Sequence, residues 1–300
     1  MREKIMKNSK IFHRRKIRRS VSERFVFAGV FLFFTFHAFL LIYPVVWGLF
    51  SSLKGVDEYL DYNRFGAPEF PWKFLNYAEA VRQITDGGMS FINMFWNSTW
   101  FSAGSAIINM EFVSAYAYVL NKYKFRGRNF LYGLCLFMMA VPLGASFVST
   151  YRIYLGLHLN NSYAILFTAT AVYGMNLMLF HSYYSNISNS YKEAAQIDGA
   201  NFYQIYFKVM RMQAMPLALT LGIMQFIAHW NDYMSPLLYL SEMPTLATGL
   251  YNYQTYVEGT SLNYPVLFAG LFICLIPILV IFLIFSDRMM ANINVGGLKG

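Results

Sequence analysis

Read for polar and apolar positions, the chain divides into six long, nearly uncharged blocks separated by polar breaks. The blocks run Phe25–Phe50, Asn97–Leu120, Phe130–Thr150, Ser162–Tyr184, Pro216–Leu240 and Tyr264–Phe285. Each is close to the ~20 residues that an α-helix needs to cross hydrocarbon. A transmembrane barrel would show alternating segments of about ten residues instead, and these runs are continuous. The pattern predicts an all-α, polytopic membrane protein with six transmembrane helices. The first run is too long for a signal-peptide core and has no convincing small-residue cleavage site, so it reads as an uncleaved span that Pro44 can kink.

The breaks differ in character. Ser51–Phe95 is turn-rich, with Asp57, Glu58, Asp61, Pro68, Pro71, Trp72 and the Gly87-Gly88 pair, and reads as an extracytoplasmic cap with short helical pieces. Tyr151–Asn161 reads as a short polar link. Ser241–Asn263 reads as a loop holding Glu242, Glu258 and the tyrosines at 251, 253 and 256. The break Ser190–Arg211 has a grammar of its own. Ser190 and Glu193 have the spacing of a capping box, and Gly199 supplies a left-handed helix stop. Asn201 with Gln204 is a second start signal, followed by Phe202, Ile205, Tyr206 and Val209 at helical spacing. Two short helices pinned by one glycine are expected here.

Composition and charge sharpen the picture. Hydrophobic residues make up 57% and charged residues 13% of the chain, the latter about half the usual soluble share. The net charge of +9 arises largely from a basic arm, since ten of the 24 Lys and Arg lie in Arg2–Arg24. Such an arm reads as a topology signal and an anionic-lipid contact rather than a nucleic-acid site. With the N-terminus inside, nineteen basic residues fall on the cytoplasmic side. Five fall outside: Lys54, Arg64, Lys73, Arg82 and Arg152. That asymmetry predicts both termini, and the Ser190–Arg211 break, in the cytoplasm.

Candidate chemistry is sparse. Cys135 and Cys274 sit inside apolar runs and read as hydrophobes. The histidines are scattered, and the strings H-E-x-x-H, G-x-S-x-G and G-x-x-x-x-G-K-[ST] are absent. No catalytic residue, metal site or bound cofactor is expected, and the chain has no means of hydrolysing ATP. Glu111, in the middle of the second span, is an intramembrane acid of unassigned role. We read it as a neutral, hydrogen-bonded carboxyl facing the bundle, with no partner that the sequence names.

Three strings carry a resemblance. Glu193-Ala194-Ala195 followed by Gly199 resembles the EAA loop of ABC importer permeases. Val209 stands at that pattern's isoleucine. Arg211-Met212 stands where Leu-Pro is expected, and the next proline is Pro216, a departure that bears on how the second helix exits. Trp230-Asn231-Asp232-Tyr233, with Ser235-Pro236-Leu237-Leu238, resembles the W-N-D-F-x-x-P-L segment of the maltose-permease-like carbohydrate uptake family. The ending Val295–Gly300 is similar to that family's Gly-rich tail, and Asn97-Ser98 and Ala115-Tyr116-Ala117 fit the same template. The resemblance covers roughly residues 95–300. The basic arm, the loop after the first span and Glu111 lie outside it.

The resemblance implies a type I ABC importer permease organised as a cytoplasmic arm (1–24), a first helix and extracytoplasmic loop (25–94), a permease core (95–287) with coupling helices at 190–211, and a cytoplasmic tail (288–300). It implies that Glu193, Ala194, Ala195, Asp198, Gly199 and Ala200 meet an ATPase subunit. The implied partners are a second permease, two cytosolic ATPases that use ATP and Mg, an external solute-binding protein and a sugar, with alternating access in a bacterial cell membrane. Trp230, Asn231 and Tyr233 are the candidates for the substrate path, because sugars need apolar faces beside hydrogen-bonding groups. Two alternatives remain open: a permease for a non-sugar ABC importer and, from another class, a self-contained secondary transporter. The latter would be expected to show internal repeats or buried charge relays. No repeat is seen, and only Glu111 and Asp232 are plausible intramembrane acids.

Overall fold

The computed structural model of the chain describes residues 21–141, 147–168, 174–260 and 263–293. The basic arm up to residue 20, Pro142 with Gly144, and the Val295–Gly300 tail lie outside them. Among the described residues, helix α1, Val21–Ser52, and helix α13, Tyr264–Ile293, contain the two segments long and apolar enough to cross a membrane by length and composition, Ser22–Ser52 and Tyr264–Ser286. They pack together near the C-terminal end of α1. There Gly48 faces Phe268 and Phe272, and the Trp47 ring meets Phe268 edge-on at 5.1 Å. Before that contact, the apolar side chains from Phe25 to Val45 are exposed along α1, as suits a helix whose solvent is lipid.

Past α1 the chain forms a tightly braced cap. A π turn, Glu58–Tyr62, precedes helix α2, Leu75–Gln83. Lys54 is fully buried, and its ammonium donates to the carbonyls of Asn63 and Arg64. Burial lowers its pKa, with the nearby Glu58 opposing. Glu58 in turn accepts from Asn63 Nδ2 and the Glu69 amide, both at 2.9 Å. Lys54 and Glu58 are tolerated in the interior because each has hydrogen-bonding partners.

Helix α3, Phe91–Lys122, is the mast of the molecule. Thirty-two residues at 1.5 Å each span about 48 Å. Its first turns, through Phe91 and Met94, join a core with Ala80, Ile84, Leu250 and Val266. Phe101 joins a second cluster with Ile165, Tyr239 and Leu240. Met110, Val113, Ala117, Tyr118 and Leu120 join a third. Close packing around the first core needs glycine. A Cβ on Gly270 would come within 2.3 Å of Ile84, and one on Gly249 within 2.6 Å of the Met94 sulfur.

The predicted third and fourth runs are helical but divided: α4, Arg128–Ala140, and α5, Phe147–Gly156, then α6, Ile165–Thr168, and α7, Met175–Asn186. Helix α5 continues past Thr150, so the first half of the expected polar link is helical. After α7 come α8, Ser190–Ile197, and α9, Phe202–Gln204, then a π turn, Ile205–Met210, and α10, Arg211–Trp230. Helix α11, Met234–Tyr239, and helix α12, Leu246–Thr260, lead to α13.

Two expectations are corrected here. The helix that carries the fifth apolar block does not begin at Pro216. Helix runs unbroken from Phe202 to Trp230, with Pro216 inside α10. The chain has Met212 where the pattern has proline, and the helix passes through that position and through Pro216 alike, with a π turn just upstream at Ile205–Met210. The segment Ser241–Asn263 is not simply a loop either, because Leu246–Thr260 within it is helix. Leu246, Leu250, Tyr253 and Val257 repeat at helical spacing and are all buried in the first core.

Candidate functional site: the Gly199 turn and its supports

Helix α8 starts differently from the expectation. Its N-cap position is Asn189, in helical conformation and without a side-chain cap. Ser188 Oγ instead accepts from the Ser190 amide at 3.2 Å and shares a 2.8 Å hydrogen bond with Ser190 Oγ. The predicted Ser190–Glu193 capping box is therefore not formed: Ser188, two residues earlier, engages the Ser190 hydroxyl.

The end of α8 agrees with the sequence. Gly199 has φ +79°, its amide donates to Gln196 O at 3.1 Å, and the Ala200 amide donates to Ala195 O at 2.9 Å. That pair of bonds is a Schellman stop. A Cβ on Gly199 would meet nothing within 4 Å, so the position demands glycine for its backbone and not for space. Two residues later the second start signal is present in full. Asn201 N donates to Gln204 Oε1 and Gln204 N donates to Asn201 Oδ1, each at 2.9 Å.

Burial then divides the six expected coupling residues. Ala195 is buried in the third core beside Ile205, Tyr206 and Met210, and it anchors α8. Glu193, Ala194, Asp198 and Gly199 point outward, and Ala200 is half-buried. The sequence reading missed Ile197, which is 87% exposed. Tyr191, Ala194, Ile197 and Asp198 share one face of α8 at spacings of three and four residues. The signal was present in the sequence: an isoleucine in the last turn of a helix whose buried stripe runs through Ala195.

Helix α8 is lashed to the end of α3. Lys192 Nζ donates to the Lys122 carbonyl at 3.2 Å and lies over the Tyr123 ring at 3.8 Å. Lys122 Nζ donates to Ile187 O at 2.6 Å, and Asn121 Nδ2 donates to His181 O at 3.1 Å. Cations at a helix C-terminus also suit the macrodipole. Burial, and then the Lys192 charge, lower the Lys122 pKa.

Glu111 has a partner after all. Arg211 Nε donates to its two carboxylate oxygens at 2.8 and 2.9 Å, and Nη2 donates to Oε1 as well. The expected neutral, unassigned carboxyl is an ion pair with the first residue of α10. Around it, the Tyr206 hydroxyl donates to the Glu111 carbonyl at 3.5 Å, and Ser114 Oγ and the Tyr184 hydroxyl lie 2.8 Å apart.

At the far end of α10 the W-N-D-Y string serves mainly to end helices. Trp230 is 4% exposed, donates from Nε1 to Cys274 O at 3.1 Å and packs between Phe95 and Phe226. Asn231 Nδ2 donates to Ile227 O, and Asp232 Oδ1 accepts from the Ser235 amide. Tyr233 stacks on Tyr251, with centroids 4.6 Å apart and rings inclined by 16°. Trp230, Asn231 and Tyr233, but not Asp232, border a cavity of about 630 Å³. Asn231, Tyr233, Tyr251 and Gln254 give its wall polar groups, and Gly48 and Phe272 are among its apolar lining. Among the described residues, no cluster of three or more His, Cys, Asp or Glu could hold a metal.

An all-helical membrane chain that turns one capped, exposed helix outward between two core-forming segments has the build of an importer permease. The chain belongs to the family of binding-protein-dependent transport system inner membrane components, whose model matches residues 112–294. It is similar to the arabinooligosaccharides transport system permease protein AraQ of Halalkalibacterium halodurans, 28% identical over 89% of this chain and 94% of that one. It is also similar to the multiple sugar-binding transport system permease protein MsmG of Streptococcus mutans, 30% identical over 90% and 96%. A crystal structure of a bacterial ABC transporter involved in the import of alginate shares the fold. Its TM-score is 0.76 at 21% identity, over 90% of this chain and 98% of that one. The chain is thus a transport subunit with the type I permease fold and is not an enzyme; ATP is hydrolysed by separate subunits.

Proposed function

We propose that this chain is a permease subunit of an oligosaccharide importer, working by alternating access. A carbohydrate substrate is supported by the names of its relatives, transport permeases for arabinooligosaccharides, diacetylchitobiose and multiple sugars. In this reading α8 is the coupling helix. It presents Tyr191, Ala194, Ile197 and Asp198 to a groove on a cytosolic ATPase, with Gly199 as the pivot behind them. The observation that carries the reading is the exposed apolar face of α8, anchored by Ala195 and fixed by the Schellman turn at Gly199. A hydrophobe so exposed beside a rigid turn is well suited to a protein partner.

The proposed complex has a second permease, two ATPases and an external binding protein. Closure of the ATPase dimer on ATP draws the coupling helices together and opens the bundle outward, and hydrolysis resets it. Six spans with both termini cytoplasmic place α8 where a cytosolic ATPase can reach it, and the basic asymmetry supports that orientation. Asn231 and Tyr233, with the Tyr251 stack, are proposed to face the substrate path, and Trp230 to brace its wall. Co-purification tests the assembly: the tagged chain should retain an ATPase and a second permease in mild detergent. A chain isolated alone, yet transporting sugar in liposomes, would favour a self-contained transporter.

A further inference from the structure

Two departures from the permease pattern meet each other in space. Glu111 is a charge inside the second span, outside the family template, and Arg211 replaces the apolar residue of the expected Leu-Pro pair. They are 100 residues apart in sequence and form a forked ion pair. The Arg211 side chain is 32% and the Glu111 side chain 36% exposed in the isolated chain.

Stability alone is a poor reason to keep such a pair. Charges drawn away from water lose solvation that their attraction barely returns, and a well-packed apolar pair often does as well. What a forked arginine–carboxylate contact supplies is geometry, because the planar guanidinium accepts one orientation of its partner. The place of the pair shows which geometry. Arg211 is the first residue after the π turn, in a helix running unbroken from Phe202 to Trp230. One end of that helix begins at Phe202, three residues after Gly199. The other end, roughly 40 Å away at 1.5 Å per residue, is Trp230 at the cavity wall.

We propose that Glu111 and Arg211 are a positioning pair that locks the rotation of α10 against α3. A displacement of α8 is then delivered along the helix to the Tyr233 cavity instead of being lost as rotation of α10 against α3. The Tyr206 hydroxyl on the Glu111 carbonyl holds the π turn in the same register. This inference rests on the reading of α8 as the coupling helix.

The test uses the full complex of permeases, ATPases and binding protein in nanodiscs. A cysteine at Gln254, on the cavity wall, reports through its labelling rate with a membrane-impermeant maleimide, and the chain without it gives the background. MgATP with vanadate should change the rate in the unmodified complex by about fivefold or more, the low end of allosteric coupling. In Glu111→Gln and in Arg211→Gln the change should fall below about twofold while the ATPases stay bound and go on hydrolysing ATP. Arg211→Lys, which keeps the charge and loses the fork, should fall between. A normal change in both neutral variants overturns the proposal, and so does loss of the ATPases together with the change, which would make the pair a folding brace. Gly199→Val separates the two readings. If it abolishes the change while the neutral variants respond normally, only the pair is wrong. If it also responds normally, or if the unmodified complex does not respond, the coupling reading itself fails.

Discussion

The ammonium of Lys192 lies 3.8 Å from the centroid of the Tyr123 ring, which ties the exposed helix α8 to the end of α3. The same ammonium donates to the Lys122 carbonyl at 3.2 Å. A cation over a ring at a partly solvated site is worth about 0.5–1 kcal/mol. Tyr123→Leu removes the ring face and keeps an apolar side chain. It should therefore raise hydrogen exchange of the α8 amides by about fivefold, with the α3 amides before residue 118 unchanged. Unchanged exchange in α8 would mean that the carbonyl bond alone holds it.

The two predicted helix starts should behave oppositely. Asn201 closes a reciprocal box with Gln204, and its loss to alanine should cost about 1 kcal/mol. Ser190 caps nothing through Glu193, so Glu193→Ala should leave α8 within about 0.5 kcal/mol of the parent. Thermal unfolding of the purified chain in detergent would rank them. With helix stability unaffected, any loss of ATPase association in Glu193→Ala reports the docking face itself.

Gly199 has an open space where a side chain would go but a backbone that disfavours one. Gly199→Ala should cost about 1 kcal/mol through φ alone. Gly199→Val, β-branched, should cost more and tilt the face carrying Ile197. Membrane yield should be unchanged in both, and ATP hydrolysis stimulated by the liganded binding protein should fall in the order glycine, alanine, valine. Equal stimulation in all three would remove Gly199 from the coupling path.

How much of this was legible depends on how local the signal is. The Gly199 stop and the Asn201 start involve residues within five positions, and both were readable. The Ser190 box was misread although it is equally local, because Ser188 competes for the same hydroxyl. Helix α12 was hidden by composition: its tyrosines and Glu258 look like a loop until Leu246, Leu250, Tyr253 and Val257 are seen to share a face. The partner of Glu111 was out of reach, since no pattern within one span points to a residue 100 positions away. The Trp230 string was visible as unusual, but its division into helix caps, a packed indole and one stacked tyrosine needed three dimensions.

That division gives a prediction for span five. Trp230→Ala removes a buried ring and its bond to Cys274 O and should cost about 3 kcal/mol or more, seen as lower yield and earlier thermal unfolding. Tyr233→Ala breaks the half-exposed stack on Tyr251 and should cost about 1 kcal/mol. Its larger effect should be on sugar uptake, with ATPase binding intact. The reverse ranking would make Tyr233 the structural residue and Trp230 the candidate for the path.

The central claim is that α8 is the surface on which the ATPase docks. A photo-crosslinking residue in place of Ile197, in cells expressing the whole complex, tests it most directly, with the same residue in place of Phe31 on the exposed flank of α1 as control. The account predicts an adduct of the chain with one ATPase subunit from position 197, lost or weakened in Gly199→Val, and none from position 31. Efficient photolysis at 197 with no ATPase adduct, in a complex that still transports, would contradict it.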